Sequence, residues 1–139
     1  MKTKSFTLPP ALRTALRITV NIPAGMEIVD SGQPRLTSAG DINVTTVAVH
    51  DGSPHLSART MLERAASKSP FDNLRDLEEV RTRGLSVDCD YLLTNIRLCD
   101  SYGDGYVLYL FRSDERWIKN FCLSDSHFYD LYQVLCFGK

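Results

Sequence analysis

Residues 87–125 read VDCDYLLTNIRLCDSYGDGYVLYLFRSDERWIKNFCLSD, and this stretch decides the fold. β-Branched, aromatic and long apolar residues predict successive strands in it, over residues 91–98, 106–111 and 117–123. The dipeptide Asp104-Gly105 lies between the first two strands and is a strong signal for a type I′ hairpin turn. A second polar turn, SDER at residues 113–116, precedes the last strand. The stretch therefore predicts an antiparallel meander.

The chain before the meander predicts an arm and further strands. Residues 1–13 carry Pro9-Pro10 and are expected to form a loosely held extended arm. Apolar residues that alternate with polar ones, or that follow one another without interruption, indicate strands at 16–22, 26–29 and 42–49. The last of these is apolar on both faces, which is typical of a central strand.

A helical region follows these strands. The Ser-Pro pair at residues 53–54 predicts a helix start, and the Ser-Pro pair at 69–70 predicts a second start. Phe71, Leu74, Leu77 and Val80 then recur at helical spacing before Gly84. One broken helix and two separate helices are both compatible with this pattern. Alternating basic and acidic residues between positions 59 and 83 predict solvated helix faces.

The end of the chain also has a helical pattern. Residues 124–126 have side chains that can cap the N-terminus of a helix, and Gly138 can end it. The apolar stripe between them consists of Phe128, Leu131, Tyr132 and Leu135. The predicted fold is α+β, a mostly antiparallel sheet of about five to six strands packed by the central helical region and a C-terminal helix. A single domain over residues 1–139 is expected.

The order of these elements has one resemblance. Together with the turn in RITVNIPAGMEIV at residues 17–29, it resembles the sheet-and-helix sandwiches of the Mog1/PsbP type. The resemblance rests on element order and one turn, so it concerns the fold and transfers no residue role.

Composition narrows the function classes. The 139 residues include 16 basic and 17 acidic side chains, and a net charge near zero argues against a nucleic-acid partner. The sequence has no apolar run of membrane length and no signal-peptide pattern, so a cytoplasmic protein without a membrane partner is expected. No cofactor is predicted, because neither a P-loop nor another cofactor motif occurs.

The cysteines are Cys89, Cys99, Cys122 and Cys136, and their spacing matches no metal or redox motif. In a cytosolic protein they are expected to be buried free thiols. In an oxidising compartment, disulfides would be possible. Cys89 and Cys99 would then be too far apart along one strand to pair with each other.

Three groups of residues could carry chemistry. His50 and His55 flank a short loop with Asp51 and could form a metal or acid–base site. His127 follows Cys122 by five residues, which permits a thiol nucleophile. Either pair would imply a small hydrolase or a metal-dependent enzyme. A third group consists of carboxylates that could bind a cation, namely Asp88, Asp90, Asp100 and Asp104. Turn chemistry and loop solvation explain these residues better, so neither a catalytic nor a metal site is predicted.

A protein interface is the preferred interpretation. Aromatic residues and arginines are common interface anchors, and acidic hairpin tips suit a basic partner. The predicted interface residues are Tyr102, Asp104, Tyr109, Arg112, Asp114, Glu115, Arg116 and Trp117. The sequence thus favours a non-enzymatic protein-binding module, such as an inhibitor, an immunity protein or an adaptor. A small-ligand carrier with a pocket between sheet and helices is a further alternative. The oligomeric state is not predicted.

Overall fold

The computed structural model describes residues 1–10, 22–29, 32–36 and 40–138. Helices and strands in these ranges follow the order β1 (Lys2–Leu8), β2 (Glu27–Val29), β3 (Ile42–Ala48), β4 (His55–Ser57), α1 (Ala58–Ala65), a 3-10 helix (Ala66–Lys68), α2 (Leu74–Thr82), β5 (Tyr91–Cys99), β6 (Gly105–Ser113), β7 (Arg116–Leu123), β8 (His127–Tyr129) and β9 (Gln133–Phe137). The protein is therefore sheet-dominated with two short helices in the described ranges, which fits the α+β class.

The main sheet is mixed. Its strands follow the order β1-β3-β9-β5-β6-β7, and β2 pairs with β5 outside this path. All pairs are antiparallel except β5 with β9, which run parallel. The expected loose arm is instead an edge strand over Lys2–Leu8, paired along its whole length with β3. Of the strand predicted at 16–22, only Ile22 is described, and it belongs to no strand.

The predicted meander is confirmed by β5, β6 and β7, but its turns differ from the prediction. Gly103, not Gly105, has the positive φ of the first turn, and Gly105 already belongs to β6. The Asp100 carboxylate accepts the backbone N–H groups of Tyr102 (2.9 Å) and Asp104 (3.0 Å), which stabilises a longer loop.

The second turn has the geometry that the first was expected to have. Asp114 and Glu115 both have positive φ, at +50° and +64°, although neither is a glycine. Positive φ at both central residues is the mark of a type I′ hairpin, whose twist matches that of the flanking strands. The two-residue turn sets the register Ser113↔Arg116 and therefore that of the whole β6–β7 pair.

The predicted C-terminal helix is wrong. Residues 127–129 form β8, which pairs with β4, and residues 133–137 form β9 inside the main sheet. The consecutive residues Val134, Leu135 and Cys136 are all buried, because β9 is covered on both faces. Leu131, which helical spacing placed on the apolar stripe, is 65% exposed in a turn.

The central helical region forms two helices, and both begin later than predicted. α1 is capped by Ser57, whose hydroxyl accepts the N–H of Thr60 (3.1 Å), because residues 55–57 are used in β4. α2 is capped by Asn73 rather than by Ser69. The apolar residues predicted for this region are buried as expected, namely Phe71, Leu74, Leu77 and Val80.

The charged residues of α2 are not simply solvated. Asp76 is 1% exposed, and its carboxylate accepts the backbone N–H groups of Arg35 (3.0 Å) and Leu36 (3.0 Å). Glu78 bonds to Arg81 (2.8 Å) and to Lys119 of β7 (2.9 Å). These contacts attach residues 35–36 and β7 to the helix, so they hold α2 on the sheet.

The two helices and the two-stranded β4–β8 ribbon cover the two faces of the main sheet. The first face packs against α2, through Leu92, Leu108, Leu110, Leu135, Leu74, Leu77 and Val80. The second face packs against α1 and the β4–β8 ribbon, through Leu93, Val107, Val134, Cys136, Ala58, Met61, Ala65 and Phe128. The apolar residues on both sides of β6 are thus explained, because the ribbon and α1 occupy the side that the predicted helix would have covered.

Segment 69–71 joins β9 to β5 where these parallel strands separate. The Phe71 N–H donates to the Leu135 carbonyl (3.0 Å), and the Phe71 carbonyl accepts the N–H of Asn95 (2.7 Å). The Phe137 N–H donates to the Ser69 carbonyl (2.9 Å). The Phe71 ring is fully buried and stacks on Phe137, with centroids 4.1 Å apart. Phe71 therefore links the two halves of the sheet through its backbone and its ring.

Replacing Phe71 tests this link. Phe71→Ala is expected to lower the free energy of unfolding by about 3–5 kcal/mol, because it leaves a cavity at the junction of β5, β9 and α2. Urea denaturation followed by circular dichroism measures the change. Tyr102→Ala is the control, because Tyr102 is 90% exposed and its truncation should cost less than about 0.5 kcal/mol. A loss below about 1 kcal/mol for Phe71→Ala would contradict the structural role.

Candidate functional site

The eight predicted interface residues do not form one surface. Tyr102 and Asp104 lie in the β5–β6 loop, whereas Asp114, Glu115 and Arg116 lie in and after the β6–β7 turn. These sites are at opposite ends of β6, whose length separates them by about 26 Å. The two acidic tips therefore belong to different ends of the molecule.

Arg112 and Trp117 hold residues 85–90 against the meander. The indole N–H of Trp117 donates to the Leu85 carbonyl (2.6 Å), and the side chain is only 7% exposed. Arg112 donates from Nε (2.8 Å) and Nη2 (2.6 Å) to the Asp90 carboxylate and from Nη1 (3.1 Å) to the Val87 carbonyl. Its guanidinium carbon lies 5.2 Å from the Trp117 ring centroid. These contacts give both residues a structural role.

Tyr109 belongs to an aromatic cluster on the second face of the sheet. Its ring lies against Phe128 (5.6 Å between centroids), Tyr132 (6.0 Å) and Phe111 (6.3 Å). Burial is the main cause that raises the pKa of Tyr109, and it also raises the pKa of Tyr132. Both phenols therefore stay neutral at physiological pH and can donate a hydrogen bond.

A row of large side chains crosses three strands, β5, β6 and β7, beside this cluster. Tyr91 pairs with Phe111 across β5 and β6, and Phe111 pairs with Ile118 across β6 and β7. Directly paired residues point to the same face, and Tyr132 extends the row with its ring 4.6 Å from that of Tyr91. Ile118 is 40% exposed and the three aromatic residues are half-buried. We call Tyr132, Tyr91, Phe111 and Ile118 the aromatic row.

None of the four residues is among the predicted interface residues, and helical spacing placed Tyr132 on the stripe of the predicted C-terminal helix. A two-residue turn at 114–115 already pairs Phe111 with Ile118, so part of the signal is present in the meander. The place of Tyr132 depends on β9 entering the sheet next to β5. This long-range pairing leaves no local pattern.

The histidines are grouped differently from the prediction. His50 is 5% exposed, and its Nε2 lies 2.9 Å from the Phe128 carbonyl, to which it can donate. His55 instead neighbours His127 across the exposed β4–β8 ribbon, with ring centroids 6.0 Å apart. No group of three or more metal-ligating side chains occurs within the described ranges. The two histidine rings alone make an incomplete ligand set.

The predicted carboxylate group is dispersed into separate contacts. Asp88 pairs with Lys4 (2.5 Å), and Asp90 pairs with Arg112 (2.6 Å). Asp100 organises its own turn and accepts the Tyr106 hydroxyl (3.0 Å). The hydrogen bonds from Tyr106 and from turn N–H groups lower the pKa of Asp100 despite the opposing effect of desolvation. These acids serve local structure.

The four cysteines are free thiols. Burial raises the pKa of Cys89 to about 11, that of Cys122 to about 11 and that of Cys136 to about 12. The Cys122 thiol lies against the Val107 carbonyl, at 3.9 Å. A thiol with so high a pKa is protonated at neutral pH, which disfavours Cys122 as a nucleophile.

Comparisons with protein-family models, with curated proteins and with solved structures found no match. The resemblance to Mog1/PsbP sandwiches therefore stays a prediction. Neither α1 nor α2, nor any other helical segment in the described part of the chain, is long and apolar enough to cross a membrane. Function is therefore inferred from the surfaces of the protein.

Thiol reactivity tests the assignment of Cys122. Iodoacetamide at about pH 7.5 is expected to alkylate Cys122 at least about tenfold more slowly in the folded protein than in the urea-unfolded chain, because folding suppresses the thiolate. The rate should rise about tenfold per pH unit towards pH 11. Mass spectrometry of the modified peptide measures both rates.

The matched variant for this measurement is His127→Ala. It should leave the Cys122 rate unchanged, because His127 lies against His55 on the ribbon. Fast alkylation of Cys122 in the wild-type protein that becomes slow in this variant would support the Cys122/His127 pair as a nucleophile after all.

Proposed function

We propose that this protein is a non-enzymatic protein-binding module and that its partner docks on the aromatic row. The observation that carries the proposal is a continuous line of partly exposed large side chains across three strands, which Tyr132 extends just before β9. Isolated exposed apolar residues are ordinary, but a contiguous patch of them is typical of an interaction surface.

The composition of the row suits recognition of a protein. Two tyrosines supply flat rings with a hydroxyl group, and tyrosine is among the residues most enriched at interface hot spots. Tyr132 packs on Tyr91 (4.6 Å) and on Phe128 (4.6 Å), so the rings are already held in place by neighbours. Preorganised side chains lose less conformational entropy on binding.

The charges beside the row favour a basic partner. Ser113 and Arg116 form the next pair on the same face as Phe111 and Ile118, and the exposed acids Asp114 and Glu115 lie in the turn that follows. Two acids against one arginine leave this tip negative. A negative tip next to an apolar surface suits steering of a basic protein surface, as an inhibitor, an immunity protein or an adaptor would require.

The contacts of the candidate catalytic residues also favour binding over catalysis. His50 is engaged with a backbone carbonyl, and Cys122 carries a raised pKa. His55 and His127 face each other on the ribbon rather than a nucleophile. A buried thiol with a raised pKa and a histidine bonded to a backbone carbonyl both favour a structural role for these residues.

A single charge in the row tests the proposal. Ile118→Asp is expected to weaken partner binding at least about 30-fold, because it places an unpaired carboxylate at the most exposed member of the row. The measurement is affinity capture from the source cell with quantification by mass spectrometry, followed by titration of the recovered partner. The wild-type protein should recover a stoichiometric partner that Ile118→Asp loses.

Ile28→Asp is the matched control. Ile28 is 37% exposed, close to the 40% of Ile118, and it lies on β2, outside the row. This variant should retain the partner. Equal recovery by all proteins, or no stoichiometric partner with the wild type, would contradict the proposal.

A further inference from the structure

A second surface on the same sheet face has a different chemistry. A groove of about 440 Å³ is lined by Arg59, Leu62, Glu63, Ala66, Asn95, Arg97, Val107 and Ser124. Val107 and Phe111 are four residues apart on β6, so the groove begins about 13 Å from the aromatic row. The groove and the aromatic row are therefore separate surfaces.

One side of α1 forms the wall of this groove. Arg59, Leu62, Glu63 and Ala66 recur at spacings of three and four residues, so they share one side of the helix. The buried residues Ala58, Met61 and Ala65 fix the adjacent side to the sheet. The wall is therefore rigidly held.

A bulge in β5 forms the floor. Leu93 pairs with Tyr109 and Arg97 pairs with Val107, so three residues of β5 oppose one residue of β6. The Thr94 hydroxyl donates to the Leu108 carbonyl (2.8 Å) and accepts the N–H of Ile96 (3.2 Å), which satisfies the irregular backbone. Bulges commonly redirect side chains beside functional sites. This one places the side chains of Asn95 and Arg97 together in the groove.

Two polar side chains on the floor have no partner within the described part of the chain. The exposed Arg97 guanidinium and the half-buried Asn95 amide make no side-chain hydrogen bond or ion pair among the residues that the structure describes. Arg59 at the wall pairs with Asp125 (3.1 Å), and Glu63 is the only carboxylate of the lining. Because Asp125 compensates the charge of Arg59, Arg97 is left as the lining arginine without an ion pair among the described residues.

We propose that the groove binds a small organic anion, with its carboxylate or phosphate on Arg97 and Asn95 and its apolar body on Leu62 and Val107. An arginine fork donates two parallel hydrogen bonds to a carboxylate or a phosphate, and an adjacent amide adds another donor. The groove volume lies within the range of about 300–1,000 Å³ that is usual for small-ligand sites. This inference goes beyond the protein-binding proposal and uses different residues.

Titration of the folded full chain with phenyl phosphate and benzoate tests the proposal, followed by two-dimensional NMR. At least one acid is expected to bind with a Kd below about 1 mM and to shift the backbone signals of residues 95–97. Arg97→Gln should weaken binding at least about tenfold. Arg75→Gln is the matched control, because Arg75 is an exposed arginine on α2, outside the groove, and should leave the Kd unchanged.

The other outcomes of these titrations would contradict the proposal or a part of it. No binding of either acid up to about 10 mM, or equal binding by Arg97→Gln, would overturn the anion site. Equal binding of neutral benzyl alcohol would show that the charge is irrelevant and would also overturn it. Equal binding of inorganic phosphate would overturn the role of Leu62 and Val107. Ile118→Asp should retain the ligand, so failure of the protein-binding proposal and failure of this one are distinguishable.

Discussion

The backbone bonds of Phe71 determine how the sheet is assembled. β5 and β9 are parallel neighbours only over Leu92–Gln133 and Leu93–Val134, and beyond these pairs the strands separate. Phe71 fills the opening with one N–H donor and one carbonyl acceptor, so the buried edges of both strands keep hydrogen-bond partners. Without this insertion the sheet would have unpaired polar groups at its centre, under the helix that covers its first face.

The same insertion positions both proposed surfaces. Its carbonyl accepts the N–H of Asn95, which lies in the bulge that brings Asn95 and Arg97 into the groove. The pairing of β9 with β5 at the other end places Tyr132 beside Tyr91 and completes the aromatic row. A structural link at the centre of the sheet thus supports two proposed surfaces on the same sheet face, one polar and one apolar.

Local patterns predicted the meander and the buried residues of α2, because alternation and turn chemistry act within a few residues. Local patterns gave a wrong prediction where one sequence pattern is compatible with both a helix and a strand. Helical spacing occurs at Phe128, Leu131, Tyr132 and Leu135. The continuous apolar run Val134, Leu135 and Cys136 is also typical of a central strand. These three residues form a strand because both faces of the sheet are buried there. The aromatic row and the groove depend on register and on a bulge, which arise from pairings distant in sequence.

The position of β9 has a consequence for biosynthesis. Residues 133–137 occupy the middle of the sheet, between β3 and β5, although they are the last strand of the described chain. The β1–β3 pair and the meander consist of residues that are synthesised earlier, and β9 pairs with both of them, through β3 and β5. Until β9 is synthesised, β3 has a strand edge without its native partner, and such edges can pair with other chains. Completion of the sheet therefore requires the last strand of the described chain to insert between two strands that are synthesised before it.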